Sequence, residues 1–253
     1  MIKKIVATGR GGSGKSTFIA LATKFLDSPP LLIDLDPDQN LAEMVGLDLE
    51  KEKIKTISDV LYDVQKDKTS EELTSMPLPN KIEYLLHYSC LYESKYFDII
   101  SLGVKWTKGC YCVPNNILRE IIPEIASNYT YTLIDSPAGL EHLNRKVVSD
   151  VDDTFIILDP SKKALKEVER ISELAKILNI NVKNFYTIGN FRFNENIEKY
   201  FQDKYRNYLG GIVFDVNVEN YNMQGKSLLK LPQDSPAGLS VKKILKKAGY
   251  ETK

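Results

Sequence analysis

The sequence is poor in cysteine, with three in 253 residues, and an odd number of cysteines cannot form a closed disulfide framework. A reducing compartment such as the cytoplasm is therefore expected. No apolar run reaches the ~18 residues that a transmembrane helix requires. The short apolar run at residues 5–7, before Gly9, is too brief for the core of a signal peptide. We therefore expect no stable association with a membrane.

Neither sign of charge is in excess, because Lys plus Arg and Asp plus Glu each total 34. This balance disfavours a nucleic-acid coat, and we expect no nucleic-acid partner. The chain also lacks linkers rich in Pro, Gly or Ser and shows no internal repeat. With 43% hydrophobic and 27% charged residues it has the composition of a globular protein. A single domain over residues 1–253 is the prediction.

Short apolar runs rich in β-branched residues alternate with longer helical patterns along the chain. This alternation predicts a doubly wound α/β fold, with a mostly parallel sheet of about seven or eight strands flanked by helices. A helical insertion is expected around residues 50–92. The predicted strands are Lys4–Thr8, Leu31–Asp34, Phe97–Leu102, Tyr131–Ile134, Thr154–Leu158, Phe185–Gly189 and Ile212–Phe214, and the predicted helices are Thr17–Leu26, Asn115–Ala126, Ser161–Leu178 and Ser235–Ala248.

The segment from Gly9 to Ser16 fits the phosphate-loop pattern G-x-x-x-x-G-K-[ST] completely. It follows a predicted strand and precedes a predicted helix, as the pattern requires. Backbone N–H groups of such a loop point at phosphate oxygens, while Lys15 reaches the β- and γ-phosphates and the Ser16 hydroxyl ligates Mg²⁺. The motif predicts an ATPase that binds ATP or ADP with Mg²⁺ through Gly11, Gly12, Ser13, Gly14, Lys15, Ser16 and Thr17.

Acidic residues follow two of the predicted strands. Asp34 ends the predicted strand Leu31–Asp34, and Asp36 and Asp38 lie just after it. Asp135 directly follows the predicted strand Tyr131–Ile134. Ligands bind at the carboxyl ends of strands in open α/β sheets. Asp135 suits a carboxylate that holds Mg²⁺ through water, and Gly139 can donate its N–H to a γ-phosphate. Taken alone, each segment is equally consistent with a solvated turn.

These three segments resemble the deviant-Walker-A ATPases, which include the Min and Par positioning ATPases, the arsenite-pump ATPase and the nitrogenase iron protein. The resemblance implies that Asp36 orients or deprotonates the attacking water. It also implies that Asp34 and Asp135 support Mg²⁺ through water. Asn190, after the strand Phe185–Gly189, matches the asparagine that contacts adenine in this family.

Arg10 stands where this family has its signature lysine. In the family that lysine reaches the partner's phosphates across a dimer. Arginine is always charged and its planar donors suit phosphate, so we expect Arg10 to act in trans as a catalytic residue. The other interpretation places Arg10 in solvent, without coupling of hydrolysis to dimer formation.

Cys110 and Cys112 lie two residues apart between Gly109 and Pro114. In an extended backbone, side chains two apart point the same way, so both sulfurs can face one metal ion. Two thiolates do not complete a site, but a two-fold dimer supplies four, in an arrangement for Zn²⁺ or Ni²⁺. An incidental pair or a redox pair is the other interpretation. Cys90, in an apolar helical run, is expected to be buried.

Within the superfamily the chain looks most like the carbon monoxide dehydrogenase accessory ATPases, which insert nickel. The resemblance rests on Gly109–Cys112, Ala138–Arg145, Asp159–Ser161 and Gly225–Leu228. It implies a homodimer that depends on nucleotide and metal, with carbon monoxide dehydrogenase or a related metalloenzyme as client. The alternatives are a Min- or Par-type positioning ATPase and an iron–sulfur electron donor. The basic amphipathic segment Ala237–Lys253 motivates the former, and the close cysteine spacing argues against the latter.

Overall fold

The computed structural model describes residues 2–36, 38–66, 69, 73, 75–103, 120–137, 150–177 and 179–253. Its central strands are buried along almost their whole length, so they need helices on both faces of the sheet. The strands are β1 (Lys3–Gly9), β2 (Leu31–Asp34), β3 (Tyr92–Glu93), β4 (Asp98–Ser101), β5 (Tyr131–Asp135), β6 (Asp150–Leu158), β7 (Asn181–Gly189) and β8 (Tyr208–Gly211).

These strands form one eight-stranded sheet in the order β3-β4-β2-β5-β1-β6-β7-β8. Every pairing is parallel except the one between the short edge strand β3 and β4. The register places Asp34 beside Asp135, and Asp135 beside Ala7. The carboxyl ends of β1, β2 and β5 therefore meet at one edge. The predicted fold class is confirmed.

Helices cover both faces of the sheet. Several begin at side chains that accept a hydrogen bond from a free backbone N–H of the first turn, as at Thr56, Asn194 and Ser235. The described helices are α1 (Lys15–Phe25), α2 (Asn40–Val45), α3 (Ile57–Gln65), α4 (Leu78–Leu85), α5 (residues 120–126), α6 (Lys162–Ile177), α7 (Glu195–Lys204), α8 (Val216–Met223) and α9 (Pro236–Lys247).

The sheet separates two apolar layers. One is filled by α1, α2 and α9, and the other by α3, α4, α5, α6 and α7. Phe18 and Phe155 pack together in the first layer, with ring centroids 5.0 Å apart. Because α1 lies inside this packed layer, the loop that precedes it is held against the ends of the central strands.

Two segments differ from the predicted elements. Residues 212–214 are not a strand, because β8 ends at Gly211 and Val213 and Phe214 are exposed. The apolar run Ile212–Phe214 leaves the sheet and borders a pocket instead. In the stretch 50–92, α3, α4 and a π-helical turn (Leu86–Cys90) are followed by the short strand β3, which the sequence pattern did not indicate. Cys90 is fully buried there, as predicted.

Candidate active site

The loop between β1 and α1 has the backbone conformation of a phosphate-binding loop. Gly12 and Gly14 have φ values of 71° and 98°, which favour glycine. A Cβ at Gly9 would lie 2.4 Å from the carbonyl oxygen of Ile157, so only glycine fits where β1 ends. The N-terminus of α1 begins at Lys15 and faces this loop. The free N–H groups of its first turn suit an anion.

Lys15 is buried, with an exposed fraction of 6%. Its Nζ donates a hydrogen bond to the carbonyl oxygen of Arg10, 3.2 Å away, within the loop itself. A carbonyl oxygen satisfies only one of the three ammonium donors. The remaining donors suit phosphate oxygens held by the loop. The buried Ser13 hydroxyl has no hydrogen-bond partner among the described residues.

Asp34 and Asp135 form a buried carboxyl pair on adjacent strands, and neither is exposed to solvent. Asp34 accepts hydrogen bonds from the N–H groups of Asp36 (3.0 Å) and Leu41 (3.3 Å). Both Asp135 oxygens have no hydrogen-bond partner of normal geometry in the described part of the chain. Burying a carboxylate without partners is unfavourable, so this pair needs either protons or a cation.

The pKa values of the pair reflect this cost. Burial raises the pKa of Asp34 to about 8, and the neighbouring Asp135 adds to the rise. Burial raises the pKa of Asp135 to about 6, although the Ser16 hydroxyl and the Lys15 ammonium oppose it. Both shifts therefore favour the protonated carboxyl over the carboxylate.

These residues fit a magnesium–nucleotide complex. The orphaned Asp135 oxygens, the Ser16 hydroxyl and the Lys15 ammonium lie together beside the glycine loop. Oxygen ligands and water suit Mg²⁺, and a bound Mg²⁺ would supply the positive charge that lets both buried carboxylates ionise. Asp36 is half-buried on the loop after β2. Its carboxylate accepts a hydrogen bond from the Asp38 N–H at 3.1 Å, and its charge adds to the rise in the pKa values of both carboxyls of the pair.

Arg10 contacts two residues of its own chain after β6. Its guanidinium lies 3.0 Å from the Asp159 carboxylate and 3.3 Å from the Ser161 hydroxyl. The Arg10 side chain is 40% exposed, so the pair is weak enough to exchange for another anion. The predicted role of Arg10 in trans stays a prediction.

Asn190 borders a pocket of about 240 Å³ beside the phosphate loop. Its buried Nδ2 has no hydrogen-bond partner among the described residues, so the amide is available to a ligand. Phe191 and Phe214 stand at the pocket with ring centroids 6.2 Å apart, and both are at least 40% exposed. An amide donor and two aromatic rings that line one pocket suit a planar base.

Asp215 ends the segment Leu209–Asp215, which is expected to complete the base pocket, but the sequence pattern gives this residue no individual role. It is buried and accepts hydrogen bonds from the Ser235 hydroxyl and from the N–H groups of Asn217 and Ala237. Burial alone would raise its pKa, but these hydrogen bonds lower it overall. Asp215 thus joins the starts of α8 and α9, which form the far wall of the pocket. A carboxylate just before the helical residues Val216–Met223 is the signal that indicates its capping role.

Three of the predicted site residues lie outside the described residues. They are Gly139, expected at the γ-phosphate, and the cysteines Cys110 and Cys112. The described residues contain no cluster of three or more His, Cys, Asp or Glu side chains that could hold a metal ion. The proposed nickel or zinc site therefore stays a prediction from the sequence.

A glycine loop at the end of the central strand β1, with acidic residues at the ends of the neighbouring strand β5 and of β2 beyond it, defines a P-loop ATPase. Comparison with known proteins agrees, because the model of a family described as "AAA domain" matches residues 2–188. The chain belongs to this family, and within it is related to the CooC and MinD/ParA-type ATPases.

Three relatives illustrate the range of similarity. An uncharacterized ATP-binding protein of Methanocaldococcus jannaschii is 33% identical, over 96% of this chain and 97% of its own. The carbon monoxide dehydrogenase accessory protein CooC of Rhodospirillum rubrum is 26% identical, over 92% and 91%. The structure of the septum site-determining protein MinD with Mg-ADP, from Pyrococcus horikoshii, superposes with a TM-score of 0.68 at 19% identity, over 98% and 96%. This last likeness concerns the fold alone.

The described helices were also compared with the requirements of a membrane span. None of them is both long enough and apolar enough to cross a bilayer.

Proposed function

We propose that this ATPase is a dimeric accessory protein that inserts nickel into carbon monoxide dehydrogenase or a related metalloenzyme. The observation that carries the proposal is the similarity to the accessory protein CooC over 92% of the chain. The pair Cys110 and Cys112 supports it, because paired thiolates suit nickel and zinc. The metal ion is the cargo of this reaction.

The dimer follows from the number of ligands. One chain offers two thiolates at residues 110 and 112, and the third cysteine, Cys90, is fully buried in the core, where burial raises its thiol pKa. Two chains related by a two-fold axis would supply four thiolates to one ion. Closure of the dimer would complete the cargo site, and opening would release the ion.

ATP hydrolysis would drive this cycle through the residues of the phosphate loop. Lys15 would contact the β- and γ-phosphates, and Asp36 would orient the attacking water. Gly139 would donate its N–H to the γ-phosphate, so ATP would favour one arrangement of the loops that carry Asp36 and Gly139. Arg10 would leave Asp159 and Ser161 and reach the partner's phosphates.

The alternative is a positioning ATPase of the Min or Par type, to which the chain is also similar. The terminal helix α9 is the segment that suggested a membrane anchor. Its apolar residues Val241, Ile244 and Leu245 are buried against the core, and Leu239 is the half-exposed exception. A helix that already packs its apolar face on α1 has little apolar surface left for a bilayer, which favours the accessory function.

The test combines metal analysis with solution mass, using the full chain with ADP or a non-hydrolysable ATP analogue. We expect one nickel or zinc ion per dimer, and loss of both the ion and the dimer in the double variant Cys110→Ser, Cys112→Ser. Nucleotide binding should be unchanged in that variant. Cys90→Ala is the matched control and should retain the ion.

Two results would contradict the proposal. One is a chain that stays monomeric under every condition of nucleotide and metal, and the other is a double variant that still holds one ion per dimer. Sedimentation with anionic liposomes and ATP distinguishes the accessory protein from a positioning ATPase that acts on membranes, because only the latter would be found in the pellet.

A further inference from the structure

A second cleft lies at the C-terminal end of α1, away from the phosphate loop. Its volume is about 590 Å³, within the range of ordinary ligand sites. The lysines Lys24, Lys226, Lys230 and Lys253 line it, and among the residues that the structure describes no Asp or Glu does. The cleft is therefore positively charged, although the whole chain has no net charge.

The lysines of this cleft lack acidic partners in the part of the chain that the structure describes. None of them forms an ion pair with a described carboxylate. The Lys24 ammonium donates to the carbonyl oxygen of Leu231, and partial burial lowers its pKa. An anionic group entering the cleft would therefore meet ammonium groups that no described carboxylate neutralises.

The floor of the cleft is apolar and aromatic. Phe97 is buried and packs beside Tyr92, with ring centroids 6.2 Å apart, while Tyr96 is 59% exposed. Leu47 and Leu229 complete this surface. A ligand that carries both carboxylates and apolar side chains matches these contacts better than a bare inorganic anion does.

The cleft continues into a second groove of about 360 Å³. The two share Gly46, Leu47 and Gly225, and the second is lined by Glu43 and Asp48. The charge therefore changes sign along one continuous channel. An acidic segment would therefore bind at the lysine end, because Glu43 and Asp48 would repel it from the second groove.

The wall of the channel is fixed by the packing of α2 on the segment that follows α8. The Ser227 hydroxyl donates to the Val45 carbonyl oxygen at 2.7 Å. A Cβ at Gly46 would lie 2.6 Å from the Ser227 Cβ, so glycine is required for this contact. The lysines at 226 and 230 thus stand on a segment clamped to α2, and the cleft is formed without a ligand.

We propose that this lysine-lined cleft is a docking site for an acidic segment of a partner protein, bound in extended form with its apolar side chains on the aromatic floor. Charge complementarity with the lysines, together with the apolar floor of the cleft, carries the proposal. It goes beyond the proposed metal insertion and does not depend on the cysteines.

The test uses a short fluorescein-labelled peptide in which Glu alternates with Leu, and a peptide with Lys in place of Glu. Fluorescence anisotropy with the full chain should show saturable, salt-sensitive binding of the acidic peptide alone. In the triple variant Lys24→Gln, Lys226→Gln, Lys230→Gln the affinity should fall at least about tenfold. The double variant Lys226→Gln, Lys230→Gln leaves the Lys24 contact with Leu231 intact. Its loss of binding free energy should be at least about half of that in the triple variant.

The matched control replaces three exposed lysines elsewhere, in the variant Lys166→Gln, Lys176→Gln, Lys199→Gln. It removes the same charge and should bind within about twofold of the parent chain. Equal weakening in the two triple variants would overturn the proposal. So would full displacement of the peptide by pyrophosphate at equal concentration, which would indicate a small-anion site, or binding to anionic vesicles without binding to the peptide.

Discussion

The two ends of the nucleotide site are built in opposite ways. At the phosphate end, Lys15, Asp34 and Asp135 are buried charged groups fixed by short motifs at the ends of strands. At the base end, Phe191 and Phe214 are partly exposed apolar side chains from separate segments. The phosphate end thus holds groups whose charges are unfavourable until a ligand arrives, whereas the base end is defined by shape.

This difference separates catalysis from binding. Preorganised charges contribute most where charge develops during the reaction, so changes at the phosphate end should mainly reduce the rate. The base end contacts a part of ATP that does not react, and changes there should mainly affect KM. Three predictions test this division, beginning with the largest effect.

Lys15→Ala should reduce ATP hydrolysis at least about a hundredfold, because it removes the buried ammonium that the loop presents to the phosphates. Phosphate release at saturating Mg-ATP measures the effect. Lys163→Ala, an exposed lysine on α6, is the control and should keep the parent rate. Retention of more than about a tenth of the activity in Lys15→Ala would remove Lys15 from the catalytic residues.

The carboxyl pair predicts a pH dependence of stability in the nucleotide-free chain. The folded pKa values of Asp34 and Asp135, about 8 and about 6, exceed the unfolded value of 3.8. The folded state therefore binds more protons than the unfolded state between about pH 4 and pH 8, and stability from these groups falls as pH rises through that window. Between pH 5 and pH 8 in EDTA, the fall in Tm should be roughly 5 °C smaller in Asp34→Asn than in the parent chain.

Thermal unfolding from pH 5 to pH 8 measures this dependence. Asp234→Asn removes an exposed carboxylate and should leave the profile of the parent chain unchanged. Mg²⁺ should flatten the parent profile, because the cation favours the ionised pair. A parent chain whose Tm does not fall relative to Asp34→Asn as pH rises would show that the pair is not protonated in the folded state.

Much of the phosphate end could be predicted from the sequence, because its determinants are local. The loop Gly9–Ser16 carries its own turn chemistry, and parallel strands that end together bring Asp34 beside Asp135. Burial of Cys90 and the strand Leu31–Asp34 followed equally from short apolar patterns. Assignment of residues 1–253 to a single domain stays a prediction.

The base end could not be predicted in the same way, because its contacts join distant segments. An apolar run such as Ile212–Phe214 has the same pattern whether it is a buried strand or the border of a pocket. The contact of Asp215 with Ser235 spans 20 residues, and its contact with Ala237 spans 22. Such contacts depend on how the helices pack, which no local pattern encodes.

The smallest predicted effect concerns Asp215, which holds the starts of α8 and α9 together at the base pocket. Asp215→Asn replaces one acceptor oxygen with an NH2 donor, which must face the backbone N–H of either Asn217 or Ala237, so KM for ATP should rise about fivefold while kcat stays within about twofold. Steady-state kinetics measure both constants. Ser235→Ala removes one of the three hydrogen bonds and should give a smaller rise in KM. A fall in kcat at unchanged KM would contradict the division between the two ends, because the base pocket would then act on the reacting phosphates.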